Sequence, residues 1–520
     1  WAAIAAAEAG ARVVLADKGY CGTSGAAAAG GNNLWYVPAD PARRRASIEQ
    51  REREGGFITD RSWMARTLEQ TWQCVDRLTA WGYPFPLDDD GSQRRSSLQG
   101  PEYMRLMRRR VLRAGVRILD HHPGLELLLG SDGAVAGVAG VARQKTEEPW
   151  SIRAGAVVLA TGGCAFLSNA LGLNPDTGDG HLMAAELGAE LSGMEFSCAY
   201  GMAPAFGSQT KGRMYQFASY YYADGTPMDL PVGFGGRESV ARTMIDQPVY
   251  ARLDQVPEAM HDTLRWAQPN FFLPFDKAGI DPFHQLFEVR LVLEGTVRGT
   301  GGLRVVSDAC DTTVPGLFAA GDVATRELVT GGRSGGGSHN GAWAMSSGTW
   351  AGRGAAAFAL PRSRSRGGGV EAVGRVGIRP TASADVEPHA VVESVQAQVF
   401  PLDRNLFRRE KTLLDSLRVL ADLWSRAVPA LGAGRGSAQR NREAAALVAH
   451  ARWMYRSALA RPESRAMHQR DDAPGTDDSL AYRLLCGGLD EVWVAPETPA
   501  NARELRDVQR ATAQAGESAS

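Results

Sequence analysis

The chain has 520 residues, 22% of them charged, and a net charge of −1. That length supports two to four domains with full cores, and the balanced charge leaves no electrostatic footprint for nucleic acid or a membrane surface. Six scattered cysteines (Cys21, Cys74, Cys164, Cys198, Cys310 and Cys486), none in a CxxC pair, argue against a metal site, an iron–sulfur cluster held by this chain or a disulfide framework.

In chain order, WAAIAAAEAG reads as a small-residue helix over Ala2 to Ala9 ended by Gly10, and Arg12 to Ala16 as a buried strand closed by Asp17. This is the second half of a βαβ dinucleotide-binding unit, in which an acidic residue at the strand end holds a ribose hydroxyl. The first strand and its glycine turn are expected before residue 1. KGYCGTSGAAAAGGNN, 18–33, is built of glycine and alanine, so its backbone can lie directly against a flat ligand. AGAVVLATGG, 154–163, is a β-rich apolar run ending in Thr161, Gly162 and Gly163, where a strand meets a cofactor edge. NPDTGDG, 174–180, leads into a helix from about His181.

Helix and strand patterns alternate as far as residue 194, and from 195 to 295 the chain turns aromatic and irregular. Glycine-rich α/β character resumes over 296–360, where VPGLFAAGDVA, 314–324, is a buried strand ending in Gly321 and Asp322. PRSRSRGGG, 361–369, reads as a linker. The rest, to 520, is mostly helical, with Leu413, Leu414, Leu417, Leu420 and Trp424, and then Leu447, Ala451, Met454 and Ala458, at helical spacing. The expected fold is α/β: a Rossmann-like domain (1–194 and 296–360) interrupted by an α+β capping domain (195–295) and followed by a C-terminal helical domain (361–520). No run approaches the roughly 20 apolar residues of a membrane span, so no transmembrane segment is expected and the cytoplasm is the default location.

The order of these motifs, together with ALARPESRAMHQRDDAP at 458–474, resembles the fumarate reductase and succinate dehydrogenase flavoprotein family. That family includes L-aspartate oxidase and the adenylylsulfate reductase α subunit. The resemblance implies FAD as cofactor. Asp17 would hold the adenosine ribose, with Lys18 and the Ser24–Gly31 segment (Ser24, Gly25, Gly30, Gly31) beside the flavin. Ala160, Thr161 and Gly162 would meet the cofactor at the strand end. Asp179, Gly321 and Asp322 would also contact FAD, Asp322 along the ribityl chain. Family members that bind FAD covalently carry a histidine where this chain has Ser24, so non-covalent FAD is expected.

The resemblance also implies that Arg333 clamps a substrate carboxylate and that Ser338, five residues on, opens a helix against the flavin. A planar guanidinium suits bidentate carboxylate recognition, and a helix N-terminus stabilises an anion. His339 is expected at the same site as an acid–base group or flavin contact. In GGRESVARTM, 235–244, Arg237 would deliver a proton with Glu238 as relay, and Arg242 is the alternative one turn on. Two family histidines are replaced here, one by Tyr200 and the other within the run VRGT beside Arg298. Fumarate and succinate are therefore disfavoured as substrates, and Tyr220 to Tyr222 suggest a larger or partly aromatic ligand, or simply cap core. The implied activity is hydride transfer between flavin N5 and a substrate carbon of a small molecule, with a separate iron–sulfur or ferredoxin-like subunit as electron partner. The alternatives are a self-sufficient oxidase of the aspartate oxidase kind or an adenylylsulfate reductase-like electron-transfer flavoprotein subunit.

Overall fold

A computed structural model describes residues 1–88, 90–210, 214–231, 234–334, 337–362, 369–434 and 436–498. Gly335 and Gly336, most of the expected linker at 363–368 and the last residues of the tail, 499–520, lie outside them.

The opening helix Ala2–Glu8 is alanine-rich because another backbone passes against it. On the helix Gly337–Arg362, a Cβ on Gly352 would lie 2.2 Å from the Ala2 carbonyl oxygen. Trp1 stacks on Trp81 and donates from Nε1 to Tyr103 Oη at 2.8 Å, pinning the start of this helix. The strand Val14–Ala16 follows and pairs in parallel with Arg117–Leu119, but Val14 and Ala16 are exposed rather than buried as expected, because packing and not the apolar run decides burial. A second parallel pair joins Val157–Leu159 to Leu317–Ala319. Both pairs present turn residues beyond their C-terminal ends, which is where open parallel sheets bind ligands. Asp17 and Asp120 lie beyond one pair, and Ala160 to Gly162 and Gly321 to Asp322 beyond the other.

The 195–295 segment does not continue these strands. It forms an antiparallel sheet in the order Ala199–Pro204, Phe287–Glu294, Val249–Arg252, Ser219–Tyr221. The helices Phe234–Asp246, His261–Ala267 and Pro269–Ala278 accompany it, and it has its own apolar core around Phe271, Phe272, Phe275 and Phe287. The tyrosines serve this unit. Tyr221 Oη donates to Asp254 at 2.9 Å and Tyr220 Oη to the Tyr215 carbonyl at 3.3 Å.

After residue 361 the helices Pro388–Val399, Glu410–Asp422 and Ala438–Ala460 pack together. Leu413, Leu417 and Leu420 lie on the buried stripe of the second, and the third is buried along most of its length. The tail also contributes strand, which periodicity does not show. Leu484–Gly487 pairs with Leu191–Ser192 and with Trp493–Pro496, and Gly302–Leu303 completes that sheet. All four residues of Leu484–Gly487 are buried, and a short apolar run without alternation looks the same in a helix as in a strand. Among the described residues, no helix is long and apolar enough to cross a membrane.

The close approach of the Ala2–Glu8 and Gly337–Arg362 helices is testable. Gly352→Val puts a branched side chain against a backbone carbonyl and should lower unfolding free energy by about 1–3 kcal/mol in chemical denaturation. Gly348→Ala, whose Cβ would meet the Trp1 Cβ at 3.1 Å, should change it by less than about 1 kcal/mol, because the tighter contact is offset by better helix propensity.

Candidate functional site

The small-residue loop after Asp17 is held by that aspartate. Asp17 Oδ1 accepts from the Gly19 N–H and from Ser24 Oγ, each at 2.8 Å. Lys18 turns the other way. Its Nζ donates to Thr177 Oγ1 at 2.7 Å and Glu443 Oε1 at 2.9 Å and pairs with Asp179. Burial works against that charge, but Asp179 and Glu443 outweigh it and hold the Lys18 pKa above its ordinary value. Two glycines let the strand end close on this cluster. A Cβ on Gly180 would sit 2.1 Å from Thr161 Oγ1, and one on Gly162 (φ +76°) 2.3 Å from Asp176 Oδ1.

Elsewhere the backbone is bare. Gly25 (φ +81°) would point a Cβ into open space, and Gly321 (φ +73°) would meet nothing nearer than the Ala344 Cβ at 3.9 Å. Gly31 joins a short antiparallel pairing with Gln99, and Gly30 accepts from the Gly100 N–H at 2.9 Å. Uncovered backbone at 25 and 321, with acidic side chains at 17, 179 and 322, fits a long flat dinucleotide with ribose hydroxyls.

The helix Gly337–Arg362 organises the other side. Its Trp343 Nε1 donates to the Gly321 carbonyl at 3.1 Å, while the Gly321 N–H donates to its Ser347 Oγ at 3.0 Å. Asp322 pairs with the buried Arg326 at 2.5 Å, and Arg326 also donates to the Thr296 and Val297 carbonyls. At the helix start, Ser338 Oγ lies 3.1 Å from His339 Nδ1, and the His339 ring lies 4.7 Å from that of Trp35. Trp35 is fixed in turn: its N–H donates to the Ser338 carbonyl at 3.0 Å and its Nε1 to Ser47 Oγ at 2.8 Å.

Arg333 is half-buried and donates from Nη2 to the Ala466 carbonyl at 3.0 Å. Burial lowers its pKa, and Glu54 and Glu238 oppose that shift. The loop beneath it is locked on two sides: the Gly332 N–H donates to the Gly55 carbonyl at 2.8 Å and its carbonyl accepts from the Met467 N–H at 3.0 Å. Arg237 lies on the cap helix Phe234–Asp246 and is exposed, its charge acting on the Tyr220 phenol. The carboxylate of Glu238 goes to Arg242, whose Nη2 is 3.0 Å from both Glu238 Oε1 and Asp471 Oδ1. Tyr200 donates from Oη to the Val399 carbonyl at 2.9 Å, so its hydroxyl is spent on the end of a tail helix. Arg298 lies 3.4 Å from the buried Glu294.

Beneath this loop runs a buried charge network that periodicity does not show. Glu195 Oε1 pairs with Arg461 at 2.8 Å, Arg461 with Glu463 at 3.0 Å and Arg465 with Glu463 at 2.6 Å, all within 1% of full burial. Arg408 donates to the Glu195 carbonyl at 2.6 Å and lies 2.7 Å from His468 Nδ1. Burial, and then Arg408, hold His468 neutral, so Nδ1 accepts and Nε2 donates to the Arg461 carbonyl. Glu327 accepts from Ser192 Oγ beside this network. The Arg461, Glu463, Arg465 and His468 spacing in 458–474 was the available signal; Glu195, Glu327 and Glu443 had none, because the partners that place them in the site, Arg461, Ser192 and Lys18, lie more than a hundred residues away. Among the described residues, no cluster of three or more His, Cys, Asp or Glu side chains could hold a metal ion.

Two family models match the chain: an FAD binding domain over residues 1–200 and the C-terminal region of fumarate reductase flavoproteins over 400–493. The chain is 26% identical over 498 residues to a fumarate reductase flavoprotein subunit of Mycobacterium tuberculosis, an alignment spanning 83% of each. It is 27% identical over 293 residues to an L-aspartate oxidase of Streptomyces coelicolor, spanning 52% of this chain and half of that one. Its fold matches that of an E. coli quinol fumarate reductase chain with a TM-score of 0.78 at 21% identity, covering 95% of this chain and 94% of the other.

Glu327 provides a pH test. Burial, and then the neighbouring Glu195, push its pKa up to about 8, against about 4.3 unfolded. The native state therefore binds the proton more tightly, and this residue subtracts stability as pH rises from about 4.3 through about 8. Glu327→Gln keeps an acceptor for Ser192 but cannot ionise. Its melting temperature should match the wild type near pH 5 and rise above it progressively towards pH 9.

Proposed function

The chain belongs to the fumarate reductase/succinate dehydrogenase flavoprotein family of FAD-dependent oxidoreductases, and we propose that it transfers a hydride between FAD and a carbon of a small anionic substrate other than fumarate or succinate. One observation carries the reading: Arg333 donates to the Ala466 carbonyl while the neighbouring Gly332 is bonded to Gly55 and Met467, four residues before the start of a 26-residue helix that grips Gly321. In this reading Asp17, Lys18, Ser24, Gly25, Gly30, Gly31, Ala160, Thr161, Gly162, Asp179, Gly321, Asp322 and Ser338 hold FAD. When bound, FAD supplies a two-electron acceptor or donor at its N5.

The chain's own residues do the rest. Arg333 binds and orients a substrate carboxylate, and the N-terminus of Gly337–Arg362 favours negative charge placed before it. His339, fixed by Trp35, lies at the edge of that position. The cap unit excludes water, and its Arg237 moves a proton to or from the substrate carbon on the face opposite FAD. Substrates of the fumarate and succinate type are disfavoured because Tyr200 replaces a family histidine and points its hydroxyl at backbone carbonyls. Non-covalent attachment is supported by Ser24, whose hydroxyl is bound to Asp17 and offers no nucleophilic imidazole. Electrons then pass to a separate iron–sulfur subunit, in keeping with cysteines that are unclustered and, apart from Cys21, buried. Hydrogen peroxide formed stoichiometrically with substrate oxidation would instead mark a self-sufficient oxidase.

Two measurements check this reading. Heat or acid precipitation should leave yellow FAD in the supernatant, and flavin retained on the pellet would show a covalent bond. In steady state, Arg333→Ala should raise KM by about 10–100-fold, the worth of a charged hydrogen-bonding partner. Arg237→Ala should cut kcat by about 10²–10⁴-fold with flavin content unchanged; an Arg237→Ala enzyme with normal kcat would remove Arg237 from the chemistry.

A further inference from the structure

On the helix Pro41–Glu54 and its C-cap, Ser47, Arg51 and Gly55 are spaced i, i+4, i+8 and share one face. The outer two touch the site directly. Ser47 accepts from the Trp35 indole that carries His339, and the Gly55 carbonyl accepts from the Gly332 N–H next to Arg333. Gly55 has no room for a side chain, since a Cβ would lie 2.7 Å from the Thr330 carbonyl oxygen. Arg51 sits between these two contacts, bonded through its carbonyl to the Gly55 N–H at 2.8 Å.

Arg51 is only 3% exposed, and its guanidinium is poorly provided for. Nη1 pairs with Glu54 at 3.0 Å, a carboxylate that is one-third exposed, while Nε and Nη2 are buried without a hydrogen-bond partner among the described residues. The facing segment carries Arg333, whose charge repels it. Of the acids that act on these two, Glu54 serves both arginines and Glu238 also holds Arg242. A buried guanidinium with two unused donors beside a second guanidinium is costly, and an anion between the two would offset that cost.

We infer that Arg51 is a second anion-binding residue, forming with Arg333 a paired-guanidinium receptor for an oxyanion group of the substrate. The inference rests on the reading of Arg333 as the substrate clamp and extends it, because two guanidinium forks select a fully charged oxyanion over a neutral carbonyl or alcohol. Arg51 reaches the site through helix Pro41–Glu54, outside every motif that marked the cofactor.

The test uses the FAD-loaded protein, with glutarate and sulfate as oxyanion probes and glutaramide as the uncharged control, at constant ionic strength. Wild-type protein should show a saturable rise in melting temperature and a shift of the flavin absorption band with one or both anions, and neither with glutaramide. Arg51→Gln should weaken the apparent affinity about tenfold or more. Without anion it should melt no lower than wild type, because a poorly paired buried charge has gone. Arg51→Met, which keeps the apolar stem, replaces it if the glutamine variant does not fold. Wild-type anion affinity in Arg51→Gln, or an equal fall in melting temperature with and without anion, would overturn the inference and leave Arg51 structural. Arg333→Gln separates the two levels. Loss of the anion response there but not in Arg51→Gln keeps the Arg333 reading and rejects this one. No response in wild type, or a full response in Arg333→Gln, rejects both.

Discussion

The structure depends on a chain of ion pairs that no solvent reaches: Glu195, Arg461, Glu463 and Arg465, with Arg408 and His468 against its flank. Its members come from the start of the cap segment and from the tail, so it ties together parts of the chain about 270 residues apart in sequence. Removing one partner would leave an uncompensated charge in the interior, a penalty of about 3–5 kcal/mol. Geometry of this kind is rigid, and the rigidity is passed upward. Ala466 and Met467, carried by the same turn, hold Arg333 and Gly332 by their backbone groups. The position of the half-buried Arg333 guanidinium is thus set by charges buried below it.

The cofactor side is built on a different principle. Parallel strand pairs align their ends, and the loops beyond them are stripped of side chains at 25 and 321. Where glycine is required for closeness, at 162 and 180, the space is taken by Asp176 and Thr161, which lock the loop 160–162 onto the start of the helix Asp179–Ala185. Glu443, from the long tail helix, reaches Lys18 in this cluster. The tail therefore supports both ends of the site, through Glu443 at one and Ala466 at the other.

Besides the buried Glu195–Arg461 pair and an apolar cluster that joins Ala203 and Val292 to Ala165, Ala170 and Leu173, the cap unit meets these parts through exposed polar contacts. Arg242 joins the cap helix to Asp471, with its guanidinium 3.9 Å from the centre of the Phe407 ring, while Asn270 donates to the Ala29 carbonyl at 3.2 Å. Contacts of this kind, partly exposed and few, are weak individually.

Much of the architecture was legible from local pattern. The alanine helix and the strand at the start, the glycine–alanine run at 24–31, the strand ends at 160–162 and 321–322 and the leucine stripe at 413–420 are short-range signals, each written in consecutive residues. They set the class of fold and the chemistry of the cofactor. The strand Leu484–Gly487 was hidden because four buried apolar residues carry no period. Glu195, Glu327, Glu443 and Arg51 were hidden for a related reason: a single charged residue in a helix or turn looks the same whether it faces water or the interior. Only the tertiary structure decides which. It brought Glu195 to Arg461, spent the hydroxyl of Tyr200 on a backbone carbonyl and gave Glu238 to Arg242, because long-range partners are chosen by packing and by the cost of burying charge, and neither is encoded in spacing along the chain.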